Sequence, residues 1–540
     1  MAVLEIRNLT VAIDAPDGAS VVRDISITID AGETVCLVGE SGSGKSVSSL
    51  ATMGLLPKGS LKVTSGEILL DGENLLSLTP TELRDRRATR MSMVFQEPMT
   101  ALNPVMKVGE QIEEVLSAHT KLSNAASHAK VMGILEQVGL PNIERIARSY
   151  PHQLSGGQRQ RIMIAMALIL EPRLLIADEP TTALDVTTQQ QILRLIKELQ
   201  TRHGTAVLFI THDMGVVAEI ADRVYVMNKG DMVESGPVMD ILSKPAMEYT
   251  KKLLRSVPPL VPRPARPETS RTIALQLTGL NKIYGGGKFL SKAVGTHAAK
   301  DVTLDLKVGR TLGIVGESGS GKSTVARCVM RLIDPSSGGI RVGGQQIADL
   351  TPSGLHPFRK KLQMVFQDPY RSLNPRLSIE ESIIEGPMNY GVSRADAKAK
   401  AAELLDLVGM PPEAAKRYPH MFSGGQRQRI AIARALAMEP ELLVADEAVS
   451  ALDVSVQAQV LDLLTEIQER TRIAILFITH DLRVAAQICD EVAVMRRGEV
   501  VEYGDTARVL GNPQHEYTRT LLTAAPGRDW DFPNFRAVVA

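Results

Sequence analysis

The sequence predicts an α/β chain of two tandem domains, each centred on a mainly parallel sheet, and three observations predict it. One set of motifs occurs twice in the same order, short apolar runs lead directly into those motifs, and a proline-rich stretch separates the copies. GESGSGKS stands at Gly39–Ser46 and Gly316–Ser323, MVFQ at Met93–Gln96 and Met364–Gln367, and SGGQRQRI at Ser155–Ile162 and Ser423–Ile430. ADE follows at Ala177–Glu179 and Ala445–Glu447, ALDV at Ala183–Val186 and Ala451–Val454, and FITHD at Phe209–Asp213 and Phe477–Asp481. From SGGQ onward the second copy trails the first by a constant 268 residues. Repeats this long are whole domains, not solenoid units.

The boundaries follow from composition. Five prolines fall within Val257–Ser270, which cannot be a helix interior and reads as an extended linker. The expected division is residues 1–257, a linker over 258–270, and residues 271–540. Gly285–Lys300 has no counterpart of equal length in the first copy and is expected to be an exposed loop. Met1–Ile13 alternates as a strand does and lacks the charged-then-apolar order of an export signal.

Composition weighs against some classes. The 540 residues carry 61 basic and 61 acidic side chains, so the basic excess of a protein gripping many nucleic-acid phosphates is absent. No nucleic-acid partner is expected. The three cysteines, Cys36, Cys328 and Cys489, lie far apart without metal-binding spacing and are expected to be buried thiols. The longest apolar run, Ile162–Leu170, is about half of the ~20 residues that span a bilayer, so any membrane role must come through partners.

Each motif implies a chemistry. GxxxxGK[ST] after a short apolar strand (Thr34–Val38, Thr311–Val315) is a phosphate-binding loop, in which glycines let backbone N–H groups curl around phosphate oxygens. The following helix directs its positive dipole end at them. The candidate nucleotide contacts are Gly39, Ser41, Gly42, Gly44, Lys45, Ser46 and Val47, and Gly316, Ser318, Gly319, Gly321, Lys322, Ser323 and Thr324. Lys45 and Lys322 are expected to reach the β- and γ-phosphates, and Ser46 and Ser323 to ligate Mg²⁺. Leu174–Ala177 and Leu442–Ala445 read as strands buried on both faces, whose carboxyl ends are where ligands bind in parallel sheets. Asp178 and Asp446 are then placed to orient Mg²⁺, and Glu179 and Glu447 to act as general bases on the attacking water. Gln96 and Gln367 follow short strands and are placed to touch both metal and water. His212 and His480 follow apolar strands and are placed to bond the γ-phosphate.

LSGGQ at Leu154–Gln158 is absent from generic phosphate-loop ATPases, and with it the whole set resembles the ATP-binding cassette (ABC) ATPases. The resemblance covers nearly the entire chain, twice. It implies two tandem ABC-type nucleotide-binding domains, each with a helical subdomain carrying the signature, and ATP with Mg²⁺ as ligands. It also implies that the signature of one cassette closes over the ATP of the other. Ser423, Gly424, Gly425 and Gln426 would serve the site of Lys45, and Ser155, Gly156, Gly157 and Gln158 the site of Lys322, with Asp185 and Asp453 bridging the halves.

EPMTALNP at Glu97–Pro104, DPYRSLNP at Asp368–Pro375, and the endings KPAMEYTKKLL (Lys244–Leu254) and NPQHEYTRTLL (Asn512–Leu522) are similar to the fused double-cassette ATPases of peptide, nickel and opine importers. That resemblance implies two membrane permease subunits, a substrate-binding protein, and a peripheral place on the cytoplasmic face of the inner membrane, driving uptake of peptides or related solutes. The alternative is a tandem ABC ATPase acting on ribosomes, whose cassettes are normally joined by a long charged helix. The copies also differ. Tyr284 stands where the family stacks an aromatic on adenine, against Ile13 in the first copy. Val47 replaces the hydroxyl kept as Thr324, Phe422 replaces Leu154, and Ala448 replaces Pro180. The tail Gly527–Ala540, with the chain's one tryptophan, Trp530, reads equally as a small docking strand or a loose end.

Overall fold

Strand Thr34–Val38 is buried at every residue, as are Leu174–Asp178 and Ala206–Thr211. Such runs have no solvent face, so they must sit inside a sheet covered on both sides. In the computed structural model they do. It describes residues 2–182, 184–264, 266, 270–285, 295–450 and 452–538, apart from the side chains at 98, 99, 369 and 371. By its contacts the chain forms two units, one of Met1–Leu184, Thr188–Val257 and Pro526–Ala540, the other of Asp185–Thr187 and Pro258–Ala525.

In the first unit a six-stranded sheet runs in the order 231–237, 223–228, 34–38, 206–211, 174–178, 91–94. Its neighbours pair in parallel except the edge strand Asp231–Pro237, which is antiparallel. A second, antiparallel sheet built on Ala2–Ile13, Ser20–Asp30 and Leu61–Leu70 covers one face. The period of two decides which side chains meet it: Val35, Leu37, Leu174, Ile176, Leu208 and Ile210 pack with Leu4, Ile6, Ile27 and Ile68. Each such fully buried aliphatic side chain contributes about 1.5–3 kcal/mol. The second unit repeats the plan, with Leu442, Val444, Leu476 and Ile478 against the antiparallel sheet and Leu443, Ala445, Ile475 and Phe477 against helices.

The helical subdomain of the first unit comprises Val108–His119, Asn124–Gln137, Ile143–Ala147 and Gly156–Leu168. That of the second comprises Ile379–Asn389, Arg394–Leu407 and Gly424–Leu436. Ser123 and Ser393 cap the second helix of each, accepting Ala126 N–H at 3.3 Å and Asp396 N–H at 3.1 Å. All three cysteines are buried, and burial raises each thiol above its ordinary range, Cys328 to about 11.

Three segments depart from the sequence reading. Gly285–Lys300 is not a loop throughout: residues 286–294 lie outside the described part, but Thr296–Lys307 is a strand paired with Ile273–Tyr284. The proline-rich stretch is also docked, which its composition does not announce. It lies in the second unit along helix Leu482–Ile488, where Arg483 Nη1 donates to Pro258 O at 3.0 Å and Gln487 Nε2 to Pro259 O at 3.0 Å. Arg263 and Arg266 both pair with the buried Asp490. The tail from 526 onward belongs to the first unit, not the second. There Gly527 N–H donates to Glu219 Oε1 at 3.2 Å, Trp530–Asp531 pairs with Arg536–Ala537, Phe532 is buried, and Phe535 lies under the Arg255 guanidinium. Positions 215 and 219, where the tail docks, are the equivalents of 483 and 487, where the proline-rich stretch docks.

Candidate functional site

Parallel strands end at the same level, so the residues just beyond their carboxyl ends gather. In the first unit these are Gln96, Asp178, Glu179 and His212, beside the phosphate loop that follows Val38. The loop bends through left-handed glycines, Gly39 (φ 153°), Gly42 (φ 77°) and Gly44 (φ 103°). At Gly39 a Cβ would lie 2.2 Å from Met227 O, so only glycine fits. Lys45 opens helix Lys45–Thr52 and turns its ammonium back into the loop, donating to Gly39 O at 2.8 Å and Glu40 O at 3.0 Å. Ser46 Oγ donates to Asp178 Oδ1 at 3.1 Å.

Glu179 is the hub. Gln96 Nε2 donates to its Oε2 at 2.8 Å, Thr182 Oγ1 donates to the same oxygen at 2.9 Å, and His212 Nδ1 lies 3.2 Å from Oε1. The second unit matches: Lys322 donates to Gly316 O and Glu317 O, each at 2.8 Å, and Ser323 Oγ to Asp446 Oδ1 at 3.0 Å. Gln367 Nε2 donates to Glu447 Oε2 at 2.9 Å, and His480 Nδ1 lies 3.6 Å from Oε1.

The electrostatics separate the two adjacent carboxylates. Burial raises Asp178 to about 6 against the opposing Ser46 bond, and it raises Asp446 likewise. Burial also pushes Glu179 and Glu447 up, but the hydrogen bond and charge of His212 or His480, with help from Lys45 or Lys322, outweigh it and hold both below the ordinary range. His480 is raised because Glu447 overcomes the lowering effect of burial, and Lys322 is lowered by its burial. Each site thus pairs an ionised Glu suited to take a proton with a buried Asp whose charge calls for a cation.

These residues fit a nucleotide phosphate with Mg²⁺. The donor set beside Lys45 is one hydroxyl and one carboxylate, the hard-oxygen pair that Mg²⁺ takes alongside phosphate and water. Ser43 Oγ and Ser320 Oγ, in the same loops, are buried without a hydrogen-bond partner.

The signature residues are not brought into this group within their own unit. Ser155 caps helix Gly156–Leu168 in a reciprocal box, with Gln158 N–H on Ser155 Oγ at 3.3 Å and Ser155 N–H on Gln158 Oε1 at 3.0 Å. Ser423 and Gln426 do the same at 3.4 and 3.1 Å. A Cβ on Gly157 would sit 2.6 Å from Thr188 Cγ2, and one on Gly425 2.2 Å from Val456 Cγ1. Gly156 and Gly424 have no such crowding. Ser41 and Ser318 lie in the phosphate loops, and Gly319 (φ 79°) and Gly321 (φ 108°) repeat the left-handed bends. Val47 packs on the apolar core of its unit, and Thr324 is half-buried. Ile13 and Tyr284 end their first strands about equally exposed, at 43% and 40%, with Lys282 over the Tyr284 ring.

Two features escaped the sequence reading. Thr182 bonds Glu179, whereas its counterpart Ser450 bonds only the backbone oxygen of Glu447, at 3.0 Å. Glu179 and Glu447 both adopt the left-handed region, φ 46° and 50°, which non-glycine residues enter uncommonly. No residue pattern announces that.

Comparison with known proteins shows what the chain is similar to. The family described as ABC transporter matches residues 22–182 and 299–450, and the oligopeptide/dipeptide transporter C-terminal region matches 233–292 and 501–531. The glutathione import ATP-binding protein GsiA of Salmonella choleraesuis is 48% identical over 94% of this chain and 87% of its own. The peptidoglycan transport ATP-binding protein YejF of Agrobacterium fabrum is 46% identical over 97% of this chain and 96% of its own. Among solved structures, cbiO1 of Clostridium perfringens, part of the ABC transporter complex cbiONQ, is 30% identical over 45% of this chain and 92% of its own, with a TM-score of 0.40.

Proposed function

Because this chain belongs to the ABC transporter family, as a double-cassette ATPase of the peptide-importer kind, we propose that it hydrolyses ATP at two composite sites to drive uptake of small peptides. ATP and Mg²⁺ are the ligands of its cassettes, and membrane permease subunits are its partners. Among the described residues no helix is long and apolar enough to cross a membrane. The pairing of each site with the other cassette's signature belongs to the proposal, as do a substrate-binding protein and a peripheral place on the cytoplasmic face of the inner membrane.

The observation that carries the reading is the hub at each glutamate. Glu179, held ionised by His212 and oriented by Gln96 and Thr182, has a carboxylate free of Mg²⁺ duty, since Asp178 and Ser46 pair separately. In the proposal Glu179 accepts a proton from the attacking water, and Gln96 and His212 fix where that water and the γ-phosphate stand. Lys45 exchanges its two backbone carbonyls for phosphate oxygens. Bound Mg²⁺ supplies charge neutralisation at the phosphates. Glu447, Gln367, His480 and Lys322 repeat these roles.

Substrate class comes from the relatives, one named for glutathione and one for peptidoglycan transport. Both names concern transport, so the ribosome-acting alternative gains no support from them. Gentle purification from native membranes, with co-purifying chains identified by mass, tests the reading. Two polytopic subunits and a binding protein carrying a small peptide are expected; ribosomal proteins without a membrane chain would overturn it.

A further inference from the structure

The carboxy-terminal region of each cassette ends in an EYT helix that the mechanism above does not use. In the first unit Glu234, on the edge strand, accepts Ala246 N–H at 2.7 Å and Met247 N–H at 3.2 Å, which fixes where helix Glu248–Arg255 begins. Glu502 does the same for Gln514 and His515, at 2.8 and 3.2 Å, before helix Glu516–Ala524. The tyrosine one residue into each helix then points into the phosphate loop. Tyr249 Oη accepts Glu40 N–H at 3.2 Å, and Tyr517 Oη accepts Glu317 N–H at 3.2 Å. The carbonyls of the same two loop residues receive the Lys45 and Lys322 ammonium groups. Each loop residue is therefore held through its N–H by a tyrosine and through its C=O by the lysine that meets phosphate.

We propose that Tyr249 and Tyr517 are positioning residues of the two phosphate loops, holding Glu40 and Glu317 so that lysine and backbone donors stand ready for nucleotide. The proposal rests on reading Gly39–Ser46 and Gly316–Ser323 as ATP phosphate loops. Its repetition at equivalent positions of the two cassettes sets it apart from an incidental contact. Burial raises the Tyr517 hydroxyl to about 12, so it stays protonated at neutral pH. Arg496 lies over the Tyr517 ring, 4.8 Å from its centre, and fixes its plane. Removing the hydroxyl leaves a loop N–H without that acceptor, and the loop spends less time in the form that receives phosphate.

The test uses the full chain with one loop disabled. In a Lys322→Ala chain, magnesium ADP titrated by calorimetry reports the Gly39–Ser46 loop. Adding Tyr249→Phe is expected to weaken binding about fivefold, one ordinary hydrogen bond. Adding Tyr517→Phe instead is expected to change nothing. The mirror pair in a Lys45→Ala chain reverses the assignment. The phenyl ring keeps the packing, and melting without nucleotide checks the fold. A lowered melting temperature with unchanged ADP affinity would make the tyrosines mere braces and overturn the proposal, as would equal losses from both tyrosines. A wild-type chain that binds no ADP would instead sink the phosphate-loop reading beneath it.

Discussion

Asp490→Asn should loosen the second unit far more than Asp222→Asn loosens the first, although the residues are equivalents. Each carboxylate accepts the N–H of its central strand's first residue at 2.8 Å, from Thr311 and Thr34 respectively. Asp222 is otherwise exposed. Asp490 is covered by the proline-rich stretch: its side chain is 2% exposed, with Arg266 bonded at 2.5 and 3.0 Å and Arg263 at 3.0 Å. Asparagine keeps an acceptor for the backbone but leaves three mostly buried guanidinium groups, those of Arg263, Arg266 and, 3.6 Å away, Arg310, without that countercharge. That costs about 3 kcal/mol, against about 1 kcal/mol or less for the single bond of Asp222. The difference, about 2 kcal/mol, corresponds to roughly thirtyfold in local opening. Hydrogen exchange resolved by peptide should show helix Leu482–Ile488 losing about that much more protection in Asp490→Asn than Met214–Ile220 loses in Asp222→Asn. The pH dependence has a definite sign. Burial raises Asp490, but Arg266, the Thr311 N–H and Arg263 outweigh it and hold its folded pKa below the unfolded value of about 4. Its stabilisation is therefore complete above that value and is lost as pH falls through the folded pKa. Equal losses in the two variants, or a gap that persists at the acid end, would refute the reasoning.

Glu179→Gln and Glu447→Gln should each lower ATP turnover by about 100-fold or more at the affected site, and a single mutant with full steady-state activity would contradict the general-base assignment. Gly425→Ala should cost about 1–3 kcal/mol in thermal unfolding, because its Cβ meets Val456 at 2.2 Å, whereas Gly424→Ala, at 4.0 Å from Leu452, should cost little. Gly215→Leu should dislodge the tail, since a Cβ there lies 2.6 Å from Pro526 O. With one tryptophan in the chain, Trp530 emission reads this directly, and an unshifted spectrum would show the tail still docked.

What the sequence disclosed was whatever repeats or alternates. The strands before Gly39, Gly316, Glu179 and Glu447 are legible because continuous burial leaves a run of apolar residues. The phosphate loop is legible because φ values of 77° and 103° demand glycine at 42 and 44. Gly285–Lys300 misled because polar, glycine-rich residues adjoin a strand whose partner, Ile273–Tyr284, supplies the pairing. The tail was undecidable because its anchors, Gly215, Glu219 and Arg255, lie about 280 or more residues upstream, with nothing local to mark them. The proline-rich stretch carried a backbone signal and no more: proline sets φ and excludes helix, but where an extended segment docks depends on Arg483 and Gln487.

The comparison of the two copies also says where any inequality between the sites must arise. Lys, Ser, Asp, Glu, Gln and His make corresponding contacts in both, so the reacting groups give no ground for different chemistry. The differences lie one step outward. Beyond the glutamine that both share, Glu179 has the Thr182 hydroxyl and a His at 3.2 Å, where Glu447 has a His at 3.6 Å and no such hydroxyl bond. Helix Met214–Ile220 carries glycine to admit the tail's carbonyl, where Leu482–Ile488 carries an arginine that bonds the proline-rich stretch. Ser450 already has a hydroxyl, turned to the Glu447 backbone; a Ser450→Thr chain adds the methyl that Thr182 carries, and so tests whether a hydroxyl turned to the carboxylate sets the rate of its site. Supports of this kind shift how often a glutamate stands ready, by a few-fold per hydrogen bond, without altering what it does when it is.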